Sequence, residues 1–508
     1  MNYPENDQTI PNLNKIVPKT VIVIGAGFGG ISVALRMRAK GYNVKLIDRL
    51  ESIGGRAQVF ERNGFKHDAG PTVITAPFLF EELFELFSEE LSNYLEIVGL
   101  DTWYNFYFHD GKSFSYYRDL NKTKNAIAEF NPKDVDGYSS LLSASKKIFD
   151  VGFSELADQP FVKFAKMLEQ VPKLLGLKSY LTVNQFVERH IKNKYLRQAF
   201  SIHPLLVGGN PFSTTSIYAL IHYLERQWGV HFCMGGTGKL VKELSALMVR
   251  NGVSIELGRE IKKIVIKNKR ATGIVDAKGV ESNADIIVFG GDAPYAYENM
   301  LPKNLRRQLI RRPDRYTKYS MGMFVLYFGA RQTWPNVAHH TIWLGPRFKE
   351  LLKDIFDYQT LSDDFSIYLH RPTATDKSFA PSNCDSFYAL CPVPNLQANI
   401  NWDVQGPLLR DKIVTALDAT ILPGLTKSIT DDFWMTPVDF KNNYLSQFGA
   451  GFSISPIFSQ SAYFRYHNRD PDIRNLYFTG AGTHPGAGLP GVISSAKIVE
   501  KLIAEDIL

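Results

Sequence analysis

Two glycine-rich segments, more than 400 residues apart, hold the residue types best suited to chemistry in this chain. In the first, an apolar run leads into Gly25, Gly27 and Gly30. Gly25 permits a tight turn, Gly27 lets a pyrophosphate approach the backbone, and Gly30 lets a helix pack closely on a strand. Asp48 stands eighteen residues beyond Gly30, where it can accept hydrogen bonds from a ribose. The spacing predicts a dinucleotide-binding βαβ unit with phosphates at a helix N-terminus.

The segments that follow distinguish FAD from NAD. A Gly-Gly-Arg sequence ending at Arg56 comes soon after Asp48, and a second glycine cluster spans residues 67–72. Arg56 can pair with a phosphate or polarise a flavin ring, and an NAD enzyme of this topology needs no such insertion. Residues 476–492 repeat the order of strand, glycine turn and helix, so a second helix N-terminus would face the far end of a flavin. These patterns predict FAD as the cofactor.

The elements that must position these residues alternate between strand and helix patterns along the chain. This alternation predicts an α/β protein in which both domains are discontinuous. A helical pattern fills the part after the first nucleotide unit, and a later helix is predicted at 406–422. The predicted divisions are an FAD-binding domain at 20–75, 235–292 and 472–508, a helical substrate and membrane-associating region at 76–234, a substrate-binding domain at 293–471, and a flexible tail at 1–19.

Composition limits the function classes. A chain of 508 residues with 44% hydrophobic content can bury two or more cores. The net charge of +7 permits contact with an anionic membrane surface, but no concentrated basic block predicts nucleic-acid binding. Three cysteines show no metal spacing and predict reduced thiols in the cytoplasm. His339 and His340 have no partner at ligand spacing and no nearby acid, so we predict no metal site.

The N-terminal region resembles a signal peptide only superficially. Lysines precede the apolar residues 21–34, but the glycines form a phosphate turn, and Arg36 and Arg38 occupy the place of a cleavage site. The best apolar run, residues 321–330, has only the length of a strand. We therefore expect no export signal and no membrane-spanning helix.

One segment, residues 160–180, combines apolar residues at helical spacing with lysines around them. Phe161, Phe164 and Leu168 would share a face, and Lys173 is one of the lysines nearby. Such a helix can lie in a bilayer interface with its apolar face in lipid and its lysines at the headgroups. The alternative is a surface helix packed on its own domain, and the segment alone does not decide between them.

Several signatures identify a resemblance to a known family. They are Asp68 to Thr75, Leu205 to Tyr218, Trp228 with the Gly235 to Gly238 turn, and Gly480 to Gly491. These segments are similar to those of the carotenoid desaturase family in the flavin amine oxidase superfamily, and most of all to bacterial-type phytoene desaturases. The similarity runs from about Thr20 to the C-terminus.

The resemblance implies a fold and a set of cofactor contacts. The fold is a Rossmann-like FAD-binding domain of the glutathione-reductase type, with a substrate domain that contains a mixed sheet and a helical, membrane-facing part. By motif and resemblance together, the predicted cofactor-binding residues are Gly25, Gly27, Gly29, Gly30, Asp48, Arg49, Gly54, Gly55, Arg56, Pro71, Thr72, Val73, Ile261, Gly482, Gly491, Val492 and Ile493.

The resemblance also implies a reaction. The substrate would be 15-cis-phytoene, a lipid-soluble C40 polyene without a heteroatom, dehydrogenated in successive steps to lycopene. Hydride would pass from an allylic carbon to the flavin, and a vicinal proton would then be lost to a weak base. Oxygen or a membrane quinone would reoxidise the flavin. A substrate dissolved in lipid favours the membrane-contact reading of residues 160–180, at the inner face of the cell membrane.

Other readings remain open at this point. We assign no catalytic residue beyond the flavin, and His203, Glu225 and Arg226 are only weak candidates for orienting or proton-accepting roles. Sister activities on the same fold are a dehydrosqualene desaturase, a carotene isomerase and an amine oxidase. A third possibility is a non-enzymatic isoprenoid carrier that lacks flavin, against which the intact glycine motif and Arg56 argue.

Overall fold

A computed structural model describes residues 19–162, 164–302 and 317–507 of the chain. The tail predicted at 1–19 therefore lies, except for Lys19, outside the described residues. Two sheets organise what is described. One holds the glycine turns, and the other forms a wall of a large cavity.

The first sheet is built from five short parallel strands drawn from the start, middle and end of the chain, in the order β19-β13-β1-β2-β9. In β1 (Thr20–Ile24), Val21 and Val23 face one apolar core and Ile22 and Ile24 face another. Both faces of the strand are covered, which is typical of parallel sheets and explains its unbroken apolar run. The remaining strands of this sheet are β2 (Asn43–Ile47), β9 (Ser254–Glu256), β13 (Ile286–Phe289) and β19 (Leu476–Phe478).

The second sheet has seven strands in the order β18-β14-β17-β16-β15-β6-β7. It is mixed, because β15 pairs with β6 in parallel and the other neighbours are antiparallel. Two of its strands come from the segment predicted as helical, a pairing that the sequence did not indicate. The strands are β6 (Thr102–Phe108), β7 (Ser113–Tyr117), β14 (Gly322–Ala330), β15 (His340–Leu344), β16 (Ile367–His370), β17 (Asp385–Val393) and β18 (Ile429–Met435).

Smaller ladders complete the strand inventory. They pair β3 with β4, β5 with β8, and β10 with β11 and β12. Their bounds are β3 (Val59–Arg62), β4 (Phe65–Asp68), β5 (Ile97–Gly99), β8 (His231–Cys233), β10 (Ile261–Lys267), β11 (Arg270–Asp276) and β12 (Glu281–Asn283).

Helices cover the first sheet and fill the region between β7 and β8. The α-helices are α1 (Phe28–Ala39), α2 (Phe78–Glu85), α3 (Leu120–Phe130), α4 (Asp134–Phe149), α5 (Phe164–Gly176), α6 (Val183–Glu188), α7 (Lys194–Phe200), α8 (Leu220–Trp228), α9 (Gly236–Arg250), α10 (Ala293–Tyr295), α11 (Phe348–Lys353), α12 (Trp402–Ala419), α13 (Leu425–Ser428), α14 (Pro437–Tyr444) and α15 (Leu489–Ile507). A π-helical turn, Asp150–Glu155, follows α4. Within the described ranges, no helix is both long and apolar enough to cross a bilayer.

The helix predicted at 406–422 begins four residues earlier than expected, at Trp402. The N-cap is Asn401, whose side chain accepts a hydrogen bond from the Asp403 N–H, and the helix ends at Ala419, before the predicted end. The capping side chain satisfies an N–H that the first turn leaves free, so it sets the boundary. The domain boundaries themselves stay a prediction.

Candidate cofactor site and apolar cavity

One continuous cavity of about 580 Å³ joins the glycine turns to the interior of the second sheet. All predicted cofactor residues line it except Gly30 and Ile493. Gly30 lies under the turn, and Ile493 is fully buried in the core that packs against α1. The individual cofactor contacts stay predictions, but their residues converge on one space.

The glycine turn after β1 combines close packing at Gly30 with open space at Gly27. A Cβ on Gly30 would sit 1.9 Å from the Gly25 carbonyl oxygen, so helix α1 and the turn approach too closely for any side chain. At Gly27, by contrast, no heavy atom lies within 4 Å of the Cβ position. No side chain caps the start of α1, so its first N–H groups stay available for an anion. The turn therefore fits a pyrophosphate.

Asp48 lies beside this turn at the end of β2. Its carboxylate accepts hydrogen bonds from the Ala26 N–H at 2.6 Å and the Leu50 N–H at 2.8 Å. Burial raises the pKa of Asp48, and the two backbone donors oppose that shift. Each carboxylate oxygen keeps a further lone pair, which suits the ribose hydroxyls of a dinucleotide.

Two further predicted residues line the same end of the cavity. Arg49 donates hydrogen bonds to the backbone carbonyls of Asn442 and Asn443, so its guanidinium is already anchored. Ile261 begins β10, and its side chain is buried. Both positions are compatible with contact to the nucleoside part of FAD.

Arg56 is a partly buried cation on the cavity wall, and its Nε atom is fully buried. Burial lowers the pKa of Arg56, and the nearby Asp292 carboxyl and Tyr444 hydroxyl act in the opposite direction. The guanidinium donates to the Ser446 hydroxyl, while its Nε has no partner among the described residues. An unpaired buried N–H is destabilising unless a ligand satisfies it, so the arginine fits an anionic or carbonyl-bearing cofactor. Ser453 in turn donates to Asp292.

Thr72 contacts two tyrosines that the sequence analysis did not identify as site residues. Its hydroxyl lies 2.8 Å from the Tyr388 hydroxyl and 3.1 Å from the Tyr368 hydroxyl, and all three side chains line the cavity. Burial raises the pKa of both tyrosines, so their hydroxyls stay protonated at neutral pH. They come from β16 and β17, and only the pairing of the second sheet brings them to Thr72.

The C-terminal glycine segment closes the cavity from the other side. Gly482, Gly491 and Val492 line it around the start of α15. A Cβ on Gly491 would lie 2.6 Å from the Gly486 carbonyl oxygen, so the turn and the helix start are tightly packed. His484 also lines the cavity, and burial lowers its pKa to about 4, so its ring is neutral at physiological pH.

Two of the three weak candidates from the sequence, His203 and Glu225, are in contact, and the third, Arg226, points elsewhere. Glu225 lines the cavity and accepts hydrogen bonds from the Tyr104 hydroxyl at 2.8 Å. The His203 Nε2 lies 2.9 Å from the other carboxylate oxygen of Glu225, behind the wall. Arg226 points elsewhere and packs 4.2 Å from the Trp103 ring centre. Of the three, only Glu225 reaches the cavity.

The rest of the cavity is apolar and extends to α5. Met167 and Leu174 on that helix line it, as do Phe153 and Leu156 near the π-helical turn. From the second sheet come Met323, Val325, Ile342, Leu344 and Leu390. A cavity wall of this kind binds by shape and by exclusion of water rather than by hydrogen bonds.

The prediction that His339 and His340 have no partner at ligand spacing is wrong. His340 and His370 are direct cross-strand neighbours in the pairing of β15 with β16. The sequence separation of thirty residues hid this contact, because spacing rules for metal ligands describe local motifs.

Comparisons with known proteins agree with this site. Residues 28–499 match the family described as flavin containing amine oxidoreductase. The chain is 43% identical over 490 residues to a phytoene desaturase (lycopene-forming) of Pseudescherichia vulneris, covering 96% of this chain and 100% of that protein. It is 36% identical to a phytoene desaturase (neurosporene-forming) of Rhodobacter capsulatus, covering 95% of this chain and 94% of the other. The structure of cyclohexylamine oxidase from Brevibacterium oxydans superposes with a TM-score of 0.62 at 17% identity, covering 96% and 99% of the two chains.

The fold and the cavity define a flavin-dependent oxidoreductase, and its cofactor is FAD. The chain belongs to the flavin-containing amine oxidoreductase family and, within it, to the bacterial phytoene desaturases. This membership confirms the resemblance drawn from the motifs. It also removes the flavin-free carrier from consideration.

Proposed function

We propose that this protein is an FAD-dependent desaturase that converts 15-cis-phytoene to lycopene by successive dehydrogenations. The observation that carries the proposal is the continuity of the cavity: glycine turns suited to FAD open into a space lined by apolar side chains. A C40 polyene has no heteroatom, so such a space recognises it by length and shape. The 43% identity to a lycopene-forming desaturase supports the same substrate class.

The residues around the cavity have separable tasks in this reaction. When bound, FAD would supply a hydride acceptor for an allylic carbon of the polyene. The glycine turn and the N-terminus of α1 hold the pyrophosphate, and Asp48 orients the ribose. The apolar side chains exclude water, so a polyene lies beside the cofactor without a competing nucleophile. Glu225 is a candidate acceptor for the proton, held in place by Tyr104 and His203.

The test is expression in a host that makes phytoene but no other carotenoid. We expect the pigment extract to contain lycopene, because each desaturation lengthens the conjugated system and changes its absorption spectrum. A parallel host that makes only the C30 precursor measures chain-length preference. Colourless extracts from cells that contain the flavin-loaded protein would contradict the proposal. Pigment in the C30 host alone would favour a dehydrosqualene desaturase, and a product isomerised without new double bonds would favour a carotene isomerase.

We further propose that α5 contacts the membrane and admits the substrate. Phe164, Leu168 and Leu175 lie on its outer side and are 48%, 54% and 57% exposed. Met167 and Leu174 on the same helix line the cavity. The helix thus separates the apolar interior from an apolar surface, a geometry that suits a lipid-soluble substrate. Lys173 is half exposed and is paired with Glu155 at 2.8 Å. Lys163 lies outside the described residues.

We also propose that the protein lies at the inner face of the cell membrane and that oxygen or a membrane quinone is the electron acceptor. Both points belong to the proposal. A quinone acceptor would predict reoxidation of the reduced flavin by a soluble quinone analogue without oxygen, which stopped-flow absorbance measures directly.

The double variant Leu168→Glu with Leu175→Glu tests the membrane contact. Each leucine contributes about 1.5–3 kcal/mol when its side chain is buried, so we expect vesicle affinity to fall by roughly tenfold or more. Co-sedimentation with anionic phospholipid vesicles measures the binding. The matched control is Leu408→Glu on α12, where the leucine is 51% exposed. If the double variant and the control bind vesicles as well as the parent, α5 is not the contact.

A further inference from the structure

Three histidines form a compact cluster behind the cavity wall. The ring centres of His339 and His370 are 4.8 Å apart, those of His339 and His340 are 4.6 Å apart, and those of His340 and His370 are 5.5 Å apart. All three side chains are buried, and His340 and His370 are completely so. One nitrogen from each ring lies within 4.8 Å of the others. None of the three is used by the proposed desaturation.

Some of the ring nitrogens in this cluster are hydrogen-bonded, and the others have no partner. The Nδ1 of His339 lies 2.7 Å from the Thr375 hydroxyl, and the Nδ1 of His340 lies 2.8 Å from the Tyr368 hydroxyl. The Nε2 atoms of these two rings, and both nitrogens of His370, find no hydrogen-bond partner among the described residues. A buried polar atom without a hydrogen bond destabilises the folded state by about 1–3 kcal/mol. Four such nitrogens in one cluster therefore require a common explanation.

Asp68 adds a carboxylate to the same place. Its Oδ1 accepts a hydrogen bond from the Thr237 N–H at 2.9 Å. Its Oδ2 has no partner within the described part of the chain and lies 3.9 Å from the His370 Nε2. Asp68 is fully buried at the end of β4, so the free oxygen cannot reach bulk water.

We propose that His339, His340 and His370 bind one divalent transition-metal ion of the zinc class, with the Asp68 carboxylate beside His370. Three imidazoles, with the fourth position open to water, are a known ligand set for zinc. The Nδ1 contacts to Thr375 and Tyr368 fix two of the rings with their other nitrogens free, which is how metal-bound imidazoles are usually oriented. Zinc–nitrogen bonds of about 2.0–2.1 Å place ligand nitrogens roughly 3.4 Å apart, so we expect the three nitrogens, now within 4.8 Å of one another, to draw closer when the ion binds.

All three histidine side chains are buried, so bulk water does not reach the cluster. His340 lies on β15 and His370 on β16, with His339 directly before β15, so one ion would join two neighbouring strands of the second sheet. It would stabilise the cavity wall without touching the substrate.

The first experiment measures metal directly on flavin-loaded protein prepared without a histidine tag. After incubation with zinc and dialysis against metal-free buffer, we expect about one zinc per chain by mass spectrometry. X-ray absorption at the zinc edge should then show three imidazoles and bonds of about 2.0–2.1 Å. Protein that keeps its flavin but no zinc would overturn the proposal, as would zinc coordinated by water or sulfur alone.

A variant pair identifies the ligands. In His370→Gln, bound zinc should fall to roughly a tenth or less of the parent's content. The matched control is His222→Gln, which removes another fully buried histidine in α8 and should leave zinc unchanged. Flavin content, measured on the same samples, reports folding and the proposed redox role separately. Equal zinc loss in both variants, or equal retention, would contradict the assignment of His370.

Discussion

The Gly27→Ala variant will purify as a folded protein that has lost most of its FAD. The backbone of Gly27, with φ −77° and ψ 175°, suits alanine, and no heavy atom lies within 4 Å of the added Cβ. The methyl group would instead occupy the space through which a pyrophosphate approaches the turn. We expect the dissociation constant for FAD to rise by tenfold or more, which corresponds to at least about 1.4 kcal/mol. Flavin absorbance of the purified protein and titration of the apoprotein measure the change.

The control for this variant is Gly176→Ala at the end of α5. That glycine also has nothing within 4 Å of its Cβ position and has no positive φ. We expect it to keep the parent's flavin content. The melting temperatures of both apoproteins should match that of the parent apoprotein. If Gly27→Ala retains FAD as tightly as Gly176→Ala, the pyrophosphate does not lie at this turn.

The Ile342→Trp variant will keep its flavin and lose nearly all pigment formation. Ile342 lies on β15 with its side chain in the cavity, while its neighbour Trp343 faces the core on the other side of the sheet. Successive side chains of a strand point to opposite faces of the sheet, so the new indole must point into the cavity. Fitting the substrate beside the larger side chain would overpack this part of the cavity, at a cost in free energy of about 1–3 kcal/mol. We therefore expect substrate occupancy to fall by roughly tenfold or more. Lycopene content of phytoene-producing cells measures the effect.

A conservative change at the same position separates blockage from a folding defect. Ile342→Val removes one methylene and should preserve most pigment formation. Flavin content and melting temperature should be similar in the two variants. Normal pigment in Ile342→Trp would show that the substrate does not use this part of the cavity, and the proposed path along the second sheet would be wrong.

The cofactor half of the site could be predicted because its signals are local. The turn formed by Gly25, Gly27 and Gly30 depends on backbone conformation and close approach within one βαβ unit. Asp48 ends the next strand of that unit. The C-terminal segment has the same order of strand, glycine turn and helix. Its residue types and spacing therefore predict a second glycine turn and a helix start.

The substrate half could not be predicted in the same way. Tyr368 and Tyr388 meet Thr72 only because β16 pairs with β17, although the two tyrosines lie 296 and 316 residues along the chain from Thr72. No spacing rule connects such distant residues. Two strands of the segment read as helical, β6 and β7, join this sheet for the same reason. Sheet pairing depends on the whole fold rather than on local preference.

By itself, the sequence determined the βαβ unit, the FAD cofactor and the family, since glycine conformation, helix N-termini and short spacings are properties of a few consecutive residues. Tertiary structure alone decided which side chains form the cavity wall and which histidines meet. His370 reaches His340 through a cross-strand pair, and Ile342 and Leu224 face one apolar space although 118 positions separate them along the chain. Burial of apolar surface is non-directional, so it selects a volume to fill and does not mark the residues that fill it.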